Sequence, residues 1–157
     1  MEITEHGVVA NVKVRNRRYT QLTASCITIQ NGLKEITGRE VYSKKSLSSK
    51  KLMDYVYGDL RIPKIMRTRK RKGGEKVKTP SLDEVAVRRL MIKYPQKLTE
   101  VGGLILDHRR KHQLRSFYAE SRLDDDGRMR SSYGFNTEAY RLNSKENPFG
   151  TGANFQN

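Results

Sequence analysis

The chain has 157 residues, enough for one domain, and only 35% of them are hydrophobic, so we expect a thin hydrophobic core. Its 32 Lys and Arg residues against 17 Asp and Glu give a net charge of +15, which favours a polyanionic partner, and nucleic acid fits better than a membrane. No stretch approaches the roughly 18 apolar residues that a membrane span needs, so we expect no membrane partner.

The first residues and the single cysteine indicate the compartment. Residues 1–6 include two glutamates and show no signal-peptide pattern, so we expect a cytoplasmic protein. Cys26 cannot form an internal disulfide. Because Ile27 and Ile29 are apolar neighbours, we interpret Cys26 as a buried thiol and not as a nucleophile.

Residues 6–38 are predicted to form a short extended segment followed by a long helix that ends at Gly38. The β-branched valines between residues 8 and 14 leave strand and helix both open until about Asn16. A second, shorter helix is predicted over residues 46–60. Serines are available there as N-caps, and the apolar positions recur at helical spacing: Leu52, Met53, Val56 and Leu60.

The segment Arg61–Lys78 reads RIPKIMRTRKRKGGEKVK and contains nine Lys or Arg residues and one Glu. Because it lacks apolar periodicity after Met66, we predict a mobile basic loop whose cations follow phosphates whatever the sequence. Lys70 and Arg71 lie in the middle of this run. A nuclear localisation signal is the competing interpretation, since such signals look similar.

Another helix is predicted over residues 79–94. Ser81 with Glu84 has the spacing of a capping box, and Pro95 is expected to end the helix. Its predicted apolar stripe consists of Leu82, Val85, Leu90 and Met91.

Residues 105–118, reading ILDHRRKHQLRSFY, form a basic helical pattern that Gly102 and Gly103 weaken near its start. Four cations cover about half of its circumference at helical spacing: Arg109, Arg110, Lys111 and Arg115. The expected apolar side consists of Leu104, Ile105, Leu106, Leu114 and Phe117. A solvated basic surface is the alternative to a phosphate-contacting face.

Two further patterns could suggest metal sites. His108 and His112 share a helix face at metal-ligand spacing, but no third ligand is evident, so we favour a structural or DNA-facing role. Residues 124–127, Asp-Asp-Asp-Gly, lack the spacing of a calcium loop, so we predict an acidic turn followed by a strand over residues 128–135.

The C-terminal residues 136–157 read NTEAYRLNSKENPFGTGANFQN. The run Asn-Pro-Phe-Gly-Thr-Gly, followed closely by Asn-Phe-Gln-Asn, resembles the primer-contacting loop of phage-type family A DNA polymerases. Residues 105–118 are similar to the helix that leads from thumb to palm in that family. Tyr140 stands where the family has glycine.

The resemblance implies a mainly α fold with a small β portion (α+β), in which long thumb helices precede the first strands of a polymerase palm, and the fold is incomplete. It implies a thumb-like region over residues 1–123, with the basic loop at 61–78, and the start of the palm over residues 124–157.

The resemblance also implies which residues meet DNA. The arginine matching Arg141 reaches the minor groove at the primer terminus, where purine N3 and pyrimidine O2 are acceptors in every base pair. The implied DNA-binding set consists of Arg109, Gln113 and Arg115 on the helix, Arg141, Asn154, Gln156 and Asn157 in the loop, and Lys70 and Arg71 in the basic segment.

The implied function is to grip primer-template DNA during template-directed replication in a phage-infected bacterial cell. The family's catalytic aspartate motifs are absent from this sequence, so we expect no catalytic residue, no metal and no cofactor in this chain, and no polymerisation by it alone. A complete polymerase would use Mg²⁺. The expected partners are primer-template DNA and, if encoded separately, the remaining palm and fingers.

Two other functions remain open. The chain could be a stand-alone, sequence-nonspecific basic nucleic-acid-binding protein or a polymerase relic, and such a protein should follow total charge and salt alone. A ribosome-like basic protein fits the charge but leaves the C-terminal match unexplained.

Overall fold

The structure is a computed structural model that describes residues 7–43, 46–70, 74–134 and 143–146. The chain divides into two compact units. One is Ala24–His112, and the other joins Met1–Thr23 to Gln113–Asn157. The predicted boundary between residues 123 and 124 stays a prediction.

Helices make up most of the described structure, which confirms the predicted mainly α class with a small β portion. The α-helices are α1 (Val12–Thr37), α2 (Ser49–Met53), α3 (Glu84–Lys93) and α4 (Pro95–Leu114). Two π-helical segments continue α2 and α4: Asp54–Asp59 and Arg115–Ala119. In the part of the chain that the structure describes, no helix is both long and apolar enough to cross a membrane.

The strands form small antiparallel pairs. The strands are β1 (Val8–Val9), β2 (Tyr42–Ser43), β3 (Ser46–Leu47), β4 (Met66–Lys70), β5 (Lys76–Pro80), β6 (Arg128–Met129), β7 (Ser131–Gly134) and β8 (Asn143–Glu146). β1 pairs with β6, β2 with β3, β4 with β5 and β7 with β8.

Helix α1 confirms the predicted extended segment and long helix. Asn11 caps its start, since the Asn11 side-chain oxygen accepts a hydrogen bond of 3.1 Å from the backbone N–H of Val14. The helix therefore begins four residues before Asn16. It ends at Thr37, and Gly38 follows with a φ of +67°, a backbone angle that glycine adopts without strain.

The hydrophobic core of Ala24–His112 gathers residues from α1, the α2 region, α3 and α4. Its most buried members include Leu33, Val41, Leu52, Val56, Val87, Leu98 and Ile105. Cys26 is 1% exposed, which confirms the buried thiol. The second helix is confirmed over residues 49–59, where Ser48 is the N-cap and Leu52 and Val56 are fully buried, but residues 46 and 47, predicted to belong to it, form β3.

The prediction of a loop without regular structure over residues 61–78 is wrong. Strands β4 and β5 form an antiparallel hairpin in which Met66 pairs with Pro80 and Lys70 with Lys76. Hydrogen bonds between strands do not require an apolar face, so a basic segment forms a ladder without apolar periodicity.

The start of α3 also differs from the prediction. Asp83, not Ser81, is the N-cap, because an Asp83 carboxylate oxygen accepts a hydrogen bond of 2.9 Å from the backbone N–H of Ala86. The Ser81 hydroxyl instead accepts from the N–H of Asp83 at 3.3 Å. Val85, predicted to be apolar core, is 57% exposed, and Val87 is fully buried in its place. Pro95 does end α3 and begins α4.

Two glycines lie side by side in α4, well inside a helix that begins at Pro95. A Cβ added at Gly102 would lie 2.6 Å from Cγ and 2.7 Å from Sδ of Met91 on α3, whereas a Cβ at Gly103 would meet nothing within 4 Å. Gly102 therefore lets α3 and α4 approach closely. Leu114, predicted to lie on the apolar side of this helix, is 37% exposed.

The acidic turn predicted at residues 124–127 is confirmed in the other unit. The N–H of Gly127 donates to the carbonyl of Asp124 at 2.8 Å, and Gly127 has a φ of +73°. Arg130 closes the turn, because its guanidinium pairs with Asp124 and Asp126 at 2.6 and 2.5 Å. The predicted strand follows as β6 and β7, interrupted at Arg130.

The adjacent glycines supply a matched pair of variants. We expect Gly103→Ala to raise the free energy of unfolding by about 0.5–1 kcal/mol, because alanine favours the helix. We expect Gly102→Ala to lower it by about 1 kcal/mol, since overpacking against Met91 outweighs that gain. Urea denaturation of both variants measures the difference. A Gly102→Ala variant as stable as Gly103→Ala would show that Met91 moves aside freely.

Candidate nucleic-acid interface

A groove of about 760 Å³ lies beside the hairpin within Ala24–His112. Three cations from three parts of the chain line it: Lys50 on α2, Lys64 before β4, and Arg69 on β4. All three are exposed, and among the described residues none of them forms an ion pair. Asp54 also lines the groove, so its net charge is positive. Such a groove suits a phosphate chain.

The hairpin adds further positive charge to this edge. Its exposed cations include Arg67, Arg69, Lys76 and Lys78, and Glu75 is the acid nearest to them in sequence. Because the side chains of a strand alternate between its two faces, Arg67 and Arg69 lie on one face of β4. The cations repel one another, so a polyanion that contacts the hairpin lowers its electrostatic free energy.

Tyr57 fixes one wall of the groove. It lies in the π-helical segment Asp54–Asp59, and its hydroxyl donates a 2.5 Å hydrogen bond to the carbonyl of Ser81, just after β5. Desolvation by burial raises the pKa of Tyr57, so the phenol stays protonated and remains a donor. The bond ties the end of the hairpin to the π-helical segment.

Asp83 ties the hairpin to α3. Its carboxylate pairs with the guanidinium of Arg67 while it caps α3. The pKa of Asp83 lies below its usual range, first because the N–H of Ala86 donates to the carboxylate and then because Arg67 does so. The N–H of Ser81 also donates to the carbonyl of Ile65 at 2.9 Å. Arg67 is therefore partly neutralised, and Arg69 is the freer of the two arginines.

Arg109, expected to meet DNA, makes an internal contact. Its guanidinium is partly buried and donates a 2.6 Å hydrogen bond to the carbonyl of Leu82. Desolvation lowers the pKa of Arg109, while Asp83 and Glu84 oppose that shift. The bond holds the segment between β5 and α3 against α4. Lys111, on the same helix, pairs with Asp107 at 2.8 Å.

The other expected residues of this helix differ in exposure. Gln113 is exposed near the end of α4. Arg115 is only 4% exposed, and its guanidinium forms an ion pair of 3.2 Å with Glu120. Arg109 and Arg115 thus serve packing in this structure, and DNA contact by these three residues stays a prediction.

The remaining predicted contacts lie outside the described residues. Lys70 ends strand β4, but its side chain is not among those described. The others are Arg71, Arg141, Asn154, Gln156 and Asn157. Their DNA-binding roles also stay predictions.

The two histidines of α4 have a structural setting. His108 is 1% exposed, its Nε2 lies 3.0 Å from the side-chain nitrogen of Gln30 on α1, and its ring stacks on that of His112 with 5.9 Å between centroids. Across the described ranges, no group of three or more His, Cys, Asp or Glu side chains is placed to hold a metal ion.

Sequence reasoning missed several residues of the groove. Lys64 and Arg69 were not singled out because the sequence does not distinguish one cation of a basic run from another. Tyr57 was not singled out because an aromatic residue in a predicted helix usually indicates a core position. A signal was present: Gly73-Gly74 stands between two runs that contain Thr68, Val77 and Thr79, which is typical of a hairpin.

The fold is similar to that of a solved polymerase domain. The neighbour is described as the POL domain of Pol1 from M. smegmatis in complex with DNA primer-template and dNTP. The two structures superpose with a TM-score of 0.70 at 19% sequence identity, over 92% of this chain and 24% of that chain. The present chain thus spans about a quarter of that structure's length. No family model and no curated protein matches the sequence. At this identity the likeness establishes a polymerase-like fold.

The stability that the Asp83 carboxylate contributes through Arg67 and the cap of α3 should depend on pH. Because the folded-state pKa of Asp83 is depressed, its contribution to stability is present above about pH 4 and is lost as the pH falls towards the folded pKa. We expect Asp83→Asn to be about 0.5–1 kcal/mol less stable than wild type at pH 7, and the gap to narrow as the pH falls below about 4. Chemical denaturation at several pH values measures it.

Glu84→Gln is the control, because it removes a carboxylate one residue away that neither caps α3 nor pairs with the hairpin. Its cost at pH 7 should stay below about 0.5 kcal/mol. If the gap between Asp83→Asn and wild type were constant from pH 7 to pH 3, the carboxylate of Asp83 would not be the stabilising group.

Proposed function

We propose that this chain is the thumb and first palm segment of a phage-type family A DNA polymerase and that it grips primer-template DNA. The observation that carries the proposal is the cationic groove beside the β4–β5 hairpin, on a fold similar to a polymerase domain. The neighbouring structure is a complex with primer-template DNA; for this chain, DNA as partner is part of the proposal.

The groove is suited to contact without base reading. Lys50, Lys64 and Arg69 present point charges and a guanidinium fork, which bind phosphate oxygens in any sequence. A polymerase must hold every template equally well, so sequence-independent contacts serve it. The hydrogen bond from Tyr57 to Ser81 holds the hairpin beside the π-helical segment, so the residues that the two contribute to the groove stay close together.

The terminus-reading part of the proposal rests on Arg141. Its support is the resemblance of residues 136–157 to the primer-contacting loop, and a donor in the minor groove meets an acceptor in every correct base pair. The complete enzyme, with its palm and fingers, would work in the cytoplasm of a phage-infected bacterium.

The resemblance implies Mg²⁺ for a complete polymerase. Among the described residues, no group of side chains is placed to hold a metal ion, because the acidic side chains are spread over caps, turns and ion pairs.

The groove is tested with Lys64→Gln/Arg69→Gln in the full chain. We expect the log–log salt slope of binding to a 20-bp duplex to fall by about 1.8, since about 0.9 is lost per phosphate contact, and affinity at 0.1 M salt to fall about tenfold. Fluorescence anisotropy over a salt series measures both. Arg89→Gln/Lys93→Gln removes the same charge from exposed positions on α3 and serves as the control.

We expect the control to lose less than about twofold in affinity. Equal losses in the two double variants would mean that binding follows total charge, as expected for the stand-alone nucleic-acid-binding protein. That result would refute the proposed groove.

Primer gripping makes a separate prediction for Arg141. The wild-type chain should prefer a duplex with a recessed 3′ end to a blunt duplex of equal length, and Arg141→Ala should remove the preference while lowering overall affinity only slightly. Competition binding with the two duplexes measures it, with Arg89→Ala as the control for charge. A preference that survives in Arg141→Ala would show that this arginine does not read the terminus.

A further inference from the structure

The amino-terminal half of α1 carries a second cationic surface. Its exposed residues include Lys13, Val14, Arg17, Arg18 and Gln21, and the last four recur at the i, i+3, i+4 and i+7 spacing of a single helix face. Those four line a hollow of about 210 Å³. We call the five residues the α1 face. It lies within the unit that contains Met1–Thr23, whereas the hairpin groove belongs to Ala24–His112.

The α1 face is short of negative charge. Among the described residues, Lys13, Arg17 and Arg18 form no ion pair, and α1 contains no Asp or Glu before Glu35. Arg15 contrasts with them, because its guanidinium donates to the carbonyl of Ser121 and so serves the fold. The three remaining cations make no such contact with the described part of the chain.

The position of these cations works against the helix. The amino-terminal end of a helix dipole is positive, so it repels Lys13 in the first turn, and Lys13 and Arg17, four residues apart, repel one another. An anion bound at this face relieves both repulsions. The helix should therefore become more stable when a polyanion is bound, or when the cations are removed.

We propose that the α1 face is a second contact surface for the phosphate backbone of duplex nucleic acid. Lys13 and Gln21 are about 12 Å apart along the helix at a rise of about 1.5 Å per residue, a length that faces two or three phosphates. Arginine forks and the Gln21 amide supply donors that suit phosphate oxygens. This inference rests on the proposed nucleic-acid binding and adds a contact separate from the groove.

A membrane surface fits the α1 face less well. A helix that lies in a bilayer interface buries a wide apolar face with Trp, Phe or Leu side chains. Here Val14 is the one apolar residue among the described residues that line the hollow, and the rest of the lining is polar or cationic.

The test is Arg17→Gln/Arg18→Gln in the full chain, with Arg89→Gln/Lys93→Gln as the matched control. We expect affinity for a random-sequence 20-bp duplex at 0.1 M salt to fall about tenfold and the salt slope to fall by about 1.8. The thermal midpoint of the free variant should equal or exceed that of wild type, and the increase in midpoint on adding duplex should shrink. The control should change affinity less than about twofold.

A lower affinity together with an unchanged or higher midpoint separates a binding role from misfolding. An affinity loss no greater than that of the control would overturn the inference. Tight wild-type binding to phosphatidylserine vesicles, lost in the variant while duplex binding persists, would assign the face to membranes and also overturn it.

The outcome is distinguishable from that of the groove experiment. If the Lys64→Gln/Arg69→Gln variant loses affinity and the α1 variant does not, the proposed function stands and the second surface is refuted. If only the α1 variant loses affinity, the second surface stands and the groove is refuted. If both double variants lose affinity, and the two losses multiply in the variant that carries all four substitutions, both surfaces are supported.

Discussion

The burial of both ends of the basic segment is the constraint on which the interface depends. Ile62, before β4, is 3% exposed, and Leu82, after β5, is 5% exposed, and both belong to the hydrophobic core. Most residues of the hairpin between them are polar, so the hairpin has little apolar surface of its own to bury. Ile62, Leu82 and the backbone hydrogen bonds between β4 and β5 therefore hold in place a segment whose cations repel one another. The core thus determines the positions of these cations.

Some cations of this chain are bound by other groups of the protein, and others are not bound within its described part. Arg109, Lys111, Arg115 and Arg130 are engaged by carbonyls or carboxylates of the protein, although sequence alone gives them the same appearance as the others. Lys50, Lys64 and Arg69, by contrast, line a groove without an ion partner among the described residues. A net charge of +15 predicts a polyanionic partner, but only the tertiary contacts show which cations are available to it.

The sequence predicted those elements that local chemistry determines. Gly38 marks a helix end because glycine adopts a positive φ without strain, and Pro95 marks one because proline has no backbone N–H to continue the preceding helix. Cys26 is buried because it lies on the apolar side of a helix. The hairpin was missed because strand pairing is a tertiary choice that leaves little apolar pattern in a basic run. The cap of α3 was misassigned by two residues, since Ser81 and Asp83 are both good caps and only the path of the chain into the helix decides between them. Of the predicted DNA contacts on α4 and the π-helical segment that continues it, Gln113 is exposed, whereas Arg109 and Arg115 bond to other groups of the protein.

The three cations of the groove come from α2, from the linker after the π-helical segment, and from β4, so no single element sets their spacing. The distances between them depend on the burial of Leu52 and Val56 in the core and on the bond from Tyr57 to Ser81, which joins the π-helical segment to the end of the hairpin. Phosphates along a nucleic-acid strand are evenly spaced whatever the bases, so a fixed spacing of cations is the feature that must be preserved. A rigid core under a cationic edge meets that requirement, so the fold and the charge both support the proposed function.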